Sequence, residues 1–518
     1  MPAFHIINFG CRANQADGAA LQAELSSRGM ASAPEPGRAD LVILNSCTVT
    51  AGADFSLRNA VRRMHRENPA ARIVVTGCYA QRSPQELAGL PGVEFVVGNS
   101  HKSEIVRLVS AASSSPAAAP VGASDGNGLP IRAATVRERA LTAQNYRQLI
   151  PLGALGNPSA GQPRSHFPPG AAQVFHSDIF AHTEPLSSPL RGEVWEDLTR
   201  DRTRPNLKIQ DGCNNRCSFC IIPYVRGRSR SLPLTDVLQQ VRAFCQAGYR
   251  EVVLSGINLG RYGRDLHFDG SDLGGNAGLR LPQLVRAILN ETPLERLRLS
   301  SVEPMDFTNE LLDLMASSPR IAKHIHAPLQ SGSERILRLM HRRYHPHNYR
   351  NRIEAAFERM PNAAYGADVM VGFPGESDSD FEETRSFIES LPFTYLHVFP
   401  FSRRPGTPAD KMEGQVHGTA IRERARILRE LAAEKNLRFR RRQFGREMKV
   451  VTLSEPRPLG IAAETCPDST SALSDNFLNV WIAGERLPAN QLIEVKIAGI
   501  HDDGLVGERN PSVIASYF

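Results

Sequence analysis

The run from Cys213 to Cys220 places three cysteines within eight residues, in the spacing C-x3-C-x2-C. Three thiolates this close can bind a single metal centre, but they are one ligand short of a closed tetrahedral site. A [4Fe–4S] cluster held by three cysteines therefore keeps one iron open to a small molecule. The alternative is a zinc site that a distant His or Cys completes, although zinc ligands more often come in C-x2-C pairs. The spacing favours the iron–sulfur cluster.

The composition is typical of a globular protein that is not embedded in a membrane. Of 518 residues, 41% are hydrophobic and 22% charged, and no apolar run reaches the ~18–20 residues that span a bilayer. The N-terminus lacks the features of a signal peptide. Eight cysteines are too few for a disulfide scaffold, so their clustering indicates metal chemistry in a reducing cytosol. We therefore expect a cytoplasmic protein, and its net charge of +7 suits a polyanionic partner such as RNA.

The chain divides into four regions with different patterns. Residues 1–110 alternate strand and helix and predict a small α/β domain with a parallel sheet. Residues 111–193 are rich in Ser, Ala, Pro and Gly, which predicts a flexible insertion with one short helix near Val136–Leu149. Residues 200–438 repeat βα units, as in a full or partial βα barrel with functional residues at the carboxyl ends of its strands. Residues 442–518 contain short strands and turns and predict a small β-barrel.

A second set of cysteines, Cys11, Cys47 and Cys78, lies in the first of these regions, and each cysteine follows a predicted strand. Because the carboxyl ends of parallel strands converge on one crevice, we expect the three to share a three-thiolate site. Each one alone would more often be a buried small hydrophobic residue. Cys245 and Cys466 lack this context, and Cys245 is expected to pack within a helix.

Longer motifs surround these cysteines and recur further along the chain. They are Phe9-Gly10-Cys11 with Asn14, Asn45-Ser46-Cys47-Thr48-Val49-Thr50, Thr76-Gly77-Cys78-Tyr79-Ala80-Gln81, Gly212-Cys213 to Cys220-Ile221-Ile222-Pro223-Tyr224-Val225-Arg226-Gly227, Pro328-Leu329-Gln330-Ser331-Gly332-Ser333, and Asp368-Val369-Met370-Val371-Gly372-Phe373-Pro374-Gly375-Glu376. With these motifs the chain resembles the methylthiotransferases of the radical S-adenosylmethionine (SAM) superfamily, above all those acting on tRNA N6-threonylcarbamoyladenosine. The resemblance covers nearly everything except residues 111–193, and Ser46 stands where the family usually has Thr.

The resemblance implies three domains in order: a methylthiotransferase N-terminal domain, a radical SAM barrel and a C-terminal TRAM β-barrel that binds RNA. It implies that Cys213, Cys217 and Cys220 hold the [4Fe–4S] cluster that binds and cleaves SAM, and we expect them to be catalytic. It further implies that Cys11, Cys47 and Cys78 hold an auxiliary [4Fe–4S] cluster where sulfur is held and methylated. A methylthio group would then pass to C2 of the modified adenine at tRNA position 37, next to the anticodon.

Both centres must approach one substrate atom, so we expect the N-terminal domain to cover the mouth of the barrel. SAM is expected along the carboxyl ends of the barrel strands, where Gly permits close backbone approach and polar side chains bond the ribose or methionine groups. The candidates are Gly256 and Asn258 after the second strand, Ser300 and Glu303 after the third, Gln330 and Ser331 after the fourth, and Gly372 after the fifth. Ordinary turn chemistry is the alternative for each. An electron donor and a sulfur source are also implied as partners.

Arginines and histidines supply the remaining candidates. Arg226, Arg228 and Arg230 follow the cysteine loop, and Arg403 and Arg404 come just past the last predicted barrel strand. One pair among them is expected to bind the threonine carboxylate of the substrate, with a solvated surface role as the alternative. A stretch before the last region predicts phosphate contacts through Arg438, Arg440, Arg441, Arg442 and Arg446. Strand-edge or loop roles are expected for His324, His326, His345 and His347.

Other functions remain open on the sequence alone. Related enzymes modify isopentenyladenosine in tRNA or an aspartate of a ribosomal protein. A different class is a non-catalytic iron–sulfur protein that binds RNA or senses redox state, and this protein would release no 5′-deoxyadenosine from SAM when reduced.

Overall fold

The computed structural model describes residues 2–112, 172–182, 203–266, 279–454, 469–484, 486–501 and 504–509. Cys466 and the helix predicted near Val136–Leu149 lie outside these residues. The described residues form an N-terminal α/β domain, a partial βα barrel and a closed C-terminal β-barrel. Within the described ranges, every helix is too short or too polar to cross a bilayer.

The N-terminal domain is built on a six-stranded parallel sheet. Its strands are β1 (Ala3–Asn8), β2 (Ala31–Ser32), β3 (Leu41–Ser46), β4 (Arg72–Gly77), β5 (Val93–Gly98) and β6 (Gln173–Phe175), in the spatial order β2-β1-β3-β4-β5-β6. Its helices are α1 (Arg12–Ser27), α2 (Ala51–Glu67), α3 (Cys78–Arg82), α4 (Pro84–Ala88) and α5 (Ile105–Ala112). Strand β3 is buried along its whole length between two apolar clusters, as a parallel strand covered on both faces should be. The predicted α/β class is confirmed.

Strand β6 lies within residues 111–193, where the composition predicts a flexible insertion. It pairs with β5, and Ile179 just beyond it is buried, with its backbone carbonyl 2.8 Å from the position that a Cβ on Gly227 would occupy. A strand of three residues has too few positions to show an alternating pattern. The structure therefore differs from the prediction over residues 172–182, which belong to the N-terminal sheet.

The second domain is an open βα barrel. Its strands are β7 (Asn206–Asp211), β8 (Arg230–Ser231), β9 (Glu251–Gly256), β10 (Arg296–Leu299), β11 (His324–His326), β12 (Ala364–Val371) and β13 (Tyr395–Pro400). Its helices are α6 (Ile222–Arg226), α7 (Leu234–Gln246), α8 (Leu281–Glu291), α9 (Asn309–Ser317), α10 (Glu334–Leu339), α11 (Pro346–Arg359), α12 (Asp378–Ser390) and α13 (Gly418–Arg441). The parallel sheets β10-β9-β7 and β11-β12-β13 are joined by a parallel bridge between Leu297 and Ile321, and β8 and β13 are the open edges. Apolar side chains such as Leu297 pack in the core with the outer helices, which puts the alternate residues, such as Arg298, on the concave face.

The third domain is a closed five-stranded barrel of TRAM type. Its strands are β14 (Glu447–Thr452), β15 (Thr470–Ser474), β16 (Asn479–Ile482), β17 (Leu492–His501) and β18 (Gly504–Arg509), in the order β14-β15-β16-β18-β17. It packs on the amino ends of the βα-barrel strands. The Arg298 guanidinium donates to the carbonyls of Ser474 and Asp475 at 2.9 and 3.0 Å, and the Phe477 ring stacks on His324 with centroids 4.4 Å apart.

The Glu251 carboxylate should make the stability of the βα barrel depend on pH in the acid range. It is fully buried at the start of β9 and accepts a 2.7 Å bond from Arg298 Nε. Burial acts to raise its pKa, but the charges of Arg298 and Arg204 outweigh it and lower the pKa to about 2. Because the folded-state pKa lies below the ordinary 4.5, the carboxylate stabilises the fold above pH 4.5 and loses this contribution as pH falls towards 2.

We expect this contribution to be about 3 kcal/mol, and Glu251→Gln to remove it. Denaturant unfolding measured across this acid range should show that wild type takes up about one more proton on unfolding than the variant. If the unfolding free energies of wild type and variant changed with pH in the same way, the lowered pKa assigned to Glu251 would be wrong.

Candidate two-centre active site

The first three-cysteine set, Cys213, Cys217 and Cys220, lies on the loop after the carboxyl end of β7, as the barrel rule predicts. The backbone N–H of Cys213 donates to Gly227 O at 3.0 Å, and its Sγ lies 3.7 Å from Asn258 Nδ2. The Ser218 hydroxyl donates to Leu339 O at 2.8 Å. These bonds fix both ends of the cysteine loop to neighbouring loops of the barrel.

Arg342 is a residue of this site that sequence reasoning missed. Its Nη1 lies 3.4 Å from Cys217 Sγ, and its Nη2 donates to the Glu303 carboxylate. The guanidinium also lies over the Tyr344 ring, 5.0 Å from the centroid. Burial acts to lower the Arg342 pKa, but Tyr344, Glu303 and Cys217 raise it well above its ordinary value. A permanent positive charge therefore faces the first cysteine set.

The second set, Cys11, Cys47 and Cys78, follows the carboxyl ends of three adjacent strands, β1, β3 and β4. A glycine in the left-handed region precedes two of these cysteines. Gly10 has φ +88°, and a Cβ there would lie 2.7 Å from Cys47 Sγ. Gly77 has φ +97°, and a Cβ there would lie 2.7 Å from Ser46 N. Only glycine lets the chain turn and approach this closely, so both positions bring the cysteines together.

Helix α6 lies between the two cysteine sets. It begins two residues after Cys220, and Ile221 and Val225 form a small buried apolar cluster with Cys78. Asn99 Nδ2 donates to Val225 O at 2.8 Å and lies 3.6 Å from Cys78 Sγ. The two sets are therefore neighbours across the boundary between the first two domains.

Five charged residues fill the space beside α6, and we call them the interdomain charge cluster. They are Asp17, Lys102, Lys208, Asp211 and Arg226, all buried. Arg226 Nη1 donates to both Asp211 oxygens at 2.9 and 3.1 Å, and its Nη2 donates to Asp17 Oδ2 at 3.0 Å. Lys102 contacts Asp17 at 2.9 Å, and Lys208 contacts Asp211 at 2.7 Å. The cluster joins α1 of the first domain to β7 and α6 of the second.

Charge from this cluster reaches the second cysteine set. Burial acts to lower the Arg226 pKa, but Asp211, Cys78 and Asp17 together raise it well above its ordinary value. Burial raises the pKa of the Cys47 thiol to about 12, and nearby Cys78 adds to the shift. Burial likewise raises the pKa of Cys213 and Cys220. Such thiols lose their protons only to a strongly bound metal.

Most of the arginines expected to bind the substrate carboxylate are buried and hydrogen-bonded to other groups of the protein. Arg404 binds Asp54 Oδ2 at 2.6 Å, and Arg230 donates to the backbone carbonyls of His182 and Arg226. Arg226 belongs to the charge cluster described above. The expectation is therefore wrong for these three residues, while Arg228 and Arg403 remain exposed at the surface.

The expected SAM residues surround the first cysteine set unevenly. Asn258 is buried, and its backbone N–H donates to Gln210 Oε1 at 2.7 Å. Gln330 is buried with φ +65°. Glu303 pairs with Arg342, Ser300 and Gly256 are partly exposed, and the Ser331 hydroxyl lies 3.0 Å from Thr384 Oγ1. Gly372 donates its N–H to Glu376 Oε2 at 2.7 Å. Ser331 and Gly372 are thus engaged with the outer helices or the next loop.

The histidines of β11 belong to a buried hydrogen-bonded cluster of the second domain. His326 and His397 each place a ring nitrogen 3.1 Å from Asp368 Oδ1. The Tyr395 hydroxyl lies 2.7 Å from His324 Nε2 and 2.8 Å from His326 Nδ1. His324 and His326 are the first and last residues of β11, as the strand-edge prediction expects. His345 caps α11 at the surface, with His347 stacked on it.

Unpartnered buried polar atoms test whether these residues fit iron–sulfur clusters and SAM. Asn258 Oδ1, Gln330 Oε1 and Arg342 Nε have no hydrogen-bond partner among the described residues, and Asn258 and Arg342 contact cysteines of the first set. Beside the second set, Asn99 Oδ1 and Arg226 Nε are also buried without a hydrogen-bond partner among the described residues. Buried polar groups are normally paired, so these atoms fit a missing polar ligand. Together with soft thiolate donors, they fit the implied groups.

Comparison with known proteins agrees with this architecture. Residues 207–388 match the model of the radical SAM superfamily, and residues 3–98 match uncharacterized protein family UPF0004. A radical SAM methyltransferase, TsrM from Kitasatospora setae with cobalamin and a [4Fe–4S] cluster bound, superposes with a TM-score of 0.51 at 16% identity, covering 79% of this chain and 77% of that one. Fold and matched family define a radical SAM enzyme.

Relatives identify its family. A threonylcarbamoyladenosine tRNA methylthiotransferase MtaB from Aquifex aeolicus is 34% identical over 87% of this chain and 92% of its own. Another from Bacillus subtilis is 31% identical over 96% and 93%. A tRNA-2-methylthio-N(6)-dimethylallyladenosine synthase from Desulforamulus reducens is 28% identical over 98% and 95%. The chain belongs to the radical SAM tRNA methylthiotransferase family, whose members use SAM and [4Fe–4S] clusters.

Proposed function

We propose that this enzyme adds a methylthio group to C2 of N6-threonylcarbamoyladenosine at position 37 of tRNA, in the cytoplasm. The observation that carries the proposal is the proximity of two three-cysteine sets on either side of α6. When bound, a SAM-ligated [4Fe–4S] cluster supplies one-electron cleavage of SAM, and an auxiliary cluster supplies a place to hold sulfur. The electron donor and the sulfur source are separate partners.

We propose that Cys213, Cys217 and Cys220 bind the first cluster and Cys11, Cys47 and Cys78 the second. Around the first set, Arg342 holds a counter-charge against Cys217, and Asn258 orients towards Cys213. Around the second, the Asn99 amide contacts Cys78. These residues orient the ligand sulfurs, and Ile221 and Val225 keep water away from Cys78.

We propose that SAM lies against Gly256, Asn258, Ser300, Glu303, Gln330, Ser331 and Gly372, with Asn258 and Gln330 as its main polar contacts. Both residues are buried, and each has a side-chain oxygen without a partner among the described residues. Oxygens of this kind accept the amino group or ribose hydroxyls of a ligand.

The polarity of the barrel interior favours the threonylcarbamoyl substrate over the dimethylallyl one. His326, Asp368, Tyr395 and His397 present donors and acceptors on the concave face, and Asp368 and His397 are partly open to solvent. The charges of Arg298 and Arg12 act on His324 and Tyr395 from nearby. The hydroxyl and amide groups of the threonylcarbamoyl substrate can add hydrogen bonds to such a surface, whereas a dimethylallyl group can add none.

Nucleoside analysis tests this proposal. We expect tRNA from a strain lacking the gene to lose 2-methylthio-N6-threonylcarbamoyladenosine and keep its unmethylthiolated precursor. The reconstituted enzyme with SAM, sulfide and a reductant should convert threonylcarbamoylated tRNA and leave isopentenylated tRNA unchanged. Conversion of isopentenylated tRNA alone, or of neither RNA, would overturn the assignment.

A further inference from the structure

Helix α2 presents a stripe of residues to solvent. Phe55, Asn59, Arg62 and Arg66 are all exposed and spaced at i, i+4, i+7 and i+11, so they lie along one face for about 16 Å. Arg63, also exposed, lies beside them. We call these five residues the α2 stripe. The function described so far gives this stripe no role.

The charges of this stripe have no partner among the residues that the structure describes. Arg62, Arg63 and Arg66 have neither a hydrogen bond nor a carboxylate within 4.0 Å in the part of the chain that the structure describes. By contrast, Arg242 and Arg286 on the outer barrel helices each pair with a glutamate at 3.1 Å. Three unpaired guanidinium groups on one short surface attract a phosphate backbone.

The stripe begins at the mouth of the site. Helix α2 starts four residues after Cys47, and its first N–H, that of Ala51, donates to Ser402 Oγ at 3.0 Å on the loop after β13. Phe55 is 59% exposed and Val49 is 46% exposed, which is unusual for large apolar side chains. The apolar end of the stripe therefore lies next to the carboxyl face of the barrel, where both cysteine sets are.

The TRAM-type barrel lies at the opposite end of the same strands. It contacts residues at their amino ends, such as Arg296, the first residue of β10, which donates to Lys449 O at 2.8 Å, and a six-residue strand is about 20 Å long. An RNA held there alone would not be fixed where the chemistry occurs. A second contact at the mouth is needed, and the α2 stripe provides the required charge and an exposed aromatic ring.

We infer that the α2 stripe docks the tRNA stem-loop that carries the target base, with the arginines on phosphates and Phe55 stacked on an unpaired base. The inference rests on the proposed tRNA substrate. An exposed aromatic ring in line with arginines is the arrangement used for single-stranded nucleic acid, whereas an acidic protein partner would not require the ring.

Binding of a tRNA transcript to the full-length, cluster-loaded enzyme tests the inference across a range of salt concentrations. In the triple variant Arg62→Gln, Arg63→Gln, Arg66→Gln, we expect the slope of log affinity against log salt to become shallower by about two to three, because each phosphate contact contributes about 0.7–0.9. Phe55→Leu should weaken binding roughly 5- to 100-fold and leave the slope unchanged, since stacking is not ionic.

The matched control is the double variant Arg242→Gln, Arg286→Gln, which removes two exposed arginines far from the mouth and should change neither affinity nor slope. Equal unfolding midpoints for all variants show that the fold is kept. If the triple variant binds RNA with the wild-type slope, or only slows reduction by an acidic redox protein, the inference is wrong. Because the salt slope does not depend on which base is modified, this outcome is separate from the nucleoside analysis.

Discussion

Replacing Arg226 with methionine should destabilise the enzyme by about 3–5 kcal/mol, the largest stability effect that we expect from one substitution. Arg226 is fully buried and is the counter-charge shared by Asp17 and Asp211. Without it two carboxylates share a water-excluded site with only Lys102 and Lys208. Breaking a buried ion network by removing one partner costs far more than the network contributes as a whole.

Denaturant unfolding of anaerobic, cluster-loaded protein measures this effect. The matched control is Arg228→Met, because Arg228 is two residues away and exposed, and its replacement should change stability by at most about 0.5 kcal/mol. Equal losses for the two variants would mean that the interdomain charge cluster does not hold the first two domains together.

Replacing Arg342 with glutamine should lower cluster binding or SAM cleavage by about 10- to 100-fold, as for other residues that support metal ligands. Its guanidinium is the donor at 3.4 Å from Cys217 Sγ and the partner of Glu303. In the variant, the Glu303 carboxylate would face the thiolates without its counter-charge. Both the loss of a donor and the added repulsion disfavour a loaded first cysteine set.

Iron per chain after anaerobic reconstitution, and the rate of 5′-deoxyadenosine release, separate binding from cleavage. Arg343→Gln serves as the control, since Arg343 is the exposed neighbour in sequence. Wild-type iron content together with wild-type release for Arg342→Gln would contradict a supporting role for this residue.

Much of the fold is predictable from the sequence because its strands are strongly apolar and regularly spaced. Buried strands such as β3 and β4 contain continuous apolar runs, so the strands and the cysteines that follow them can be predicted from the pattern alone. Strands β6 and β15 were missed because one has three residues and the other is mostly small and polar. Their place in a sheet is decided by tertiary pairing.

The candidate site likewise contains residues that can be predicted from the sequence and residues that cannot. Cysteine spacing is local and easy to recognise, whereas Arg342 lies 125 positions from the cysteine that it contacts. The arginines predicted to bind the substrate show the opposite error, in which buried structural residues are taken for functional ones. Arg226 and Arg404 look like surface residues in a polar loop, but partners more than 200 positions away in sequence bury them. Contacts over such separations are invisible to any window of sequence.

Helix α6 fixes the gap between the two sets of sulfur ligands. The helix starts just past Cys220, and its apolar side chain Val225 packs against Cys78. A hinge motion between the first two domains would therefore break this packing before it could move the two cysteine sets apart. For the proposed tRNA substrate, we therefore expect the target nucleotide to be unstacked from its neighbours before it binds between the two sets. We accordingly expect bases in single-stranded loops, rather than bases within a duplex, to be modified.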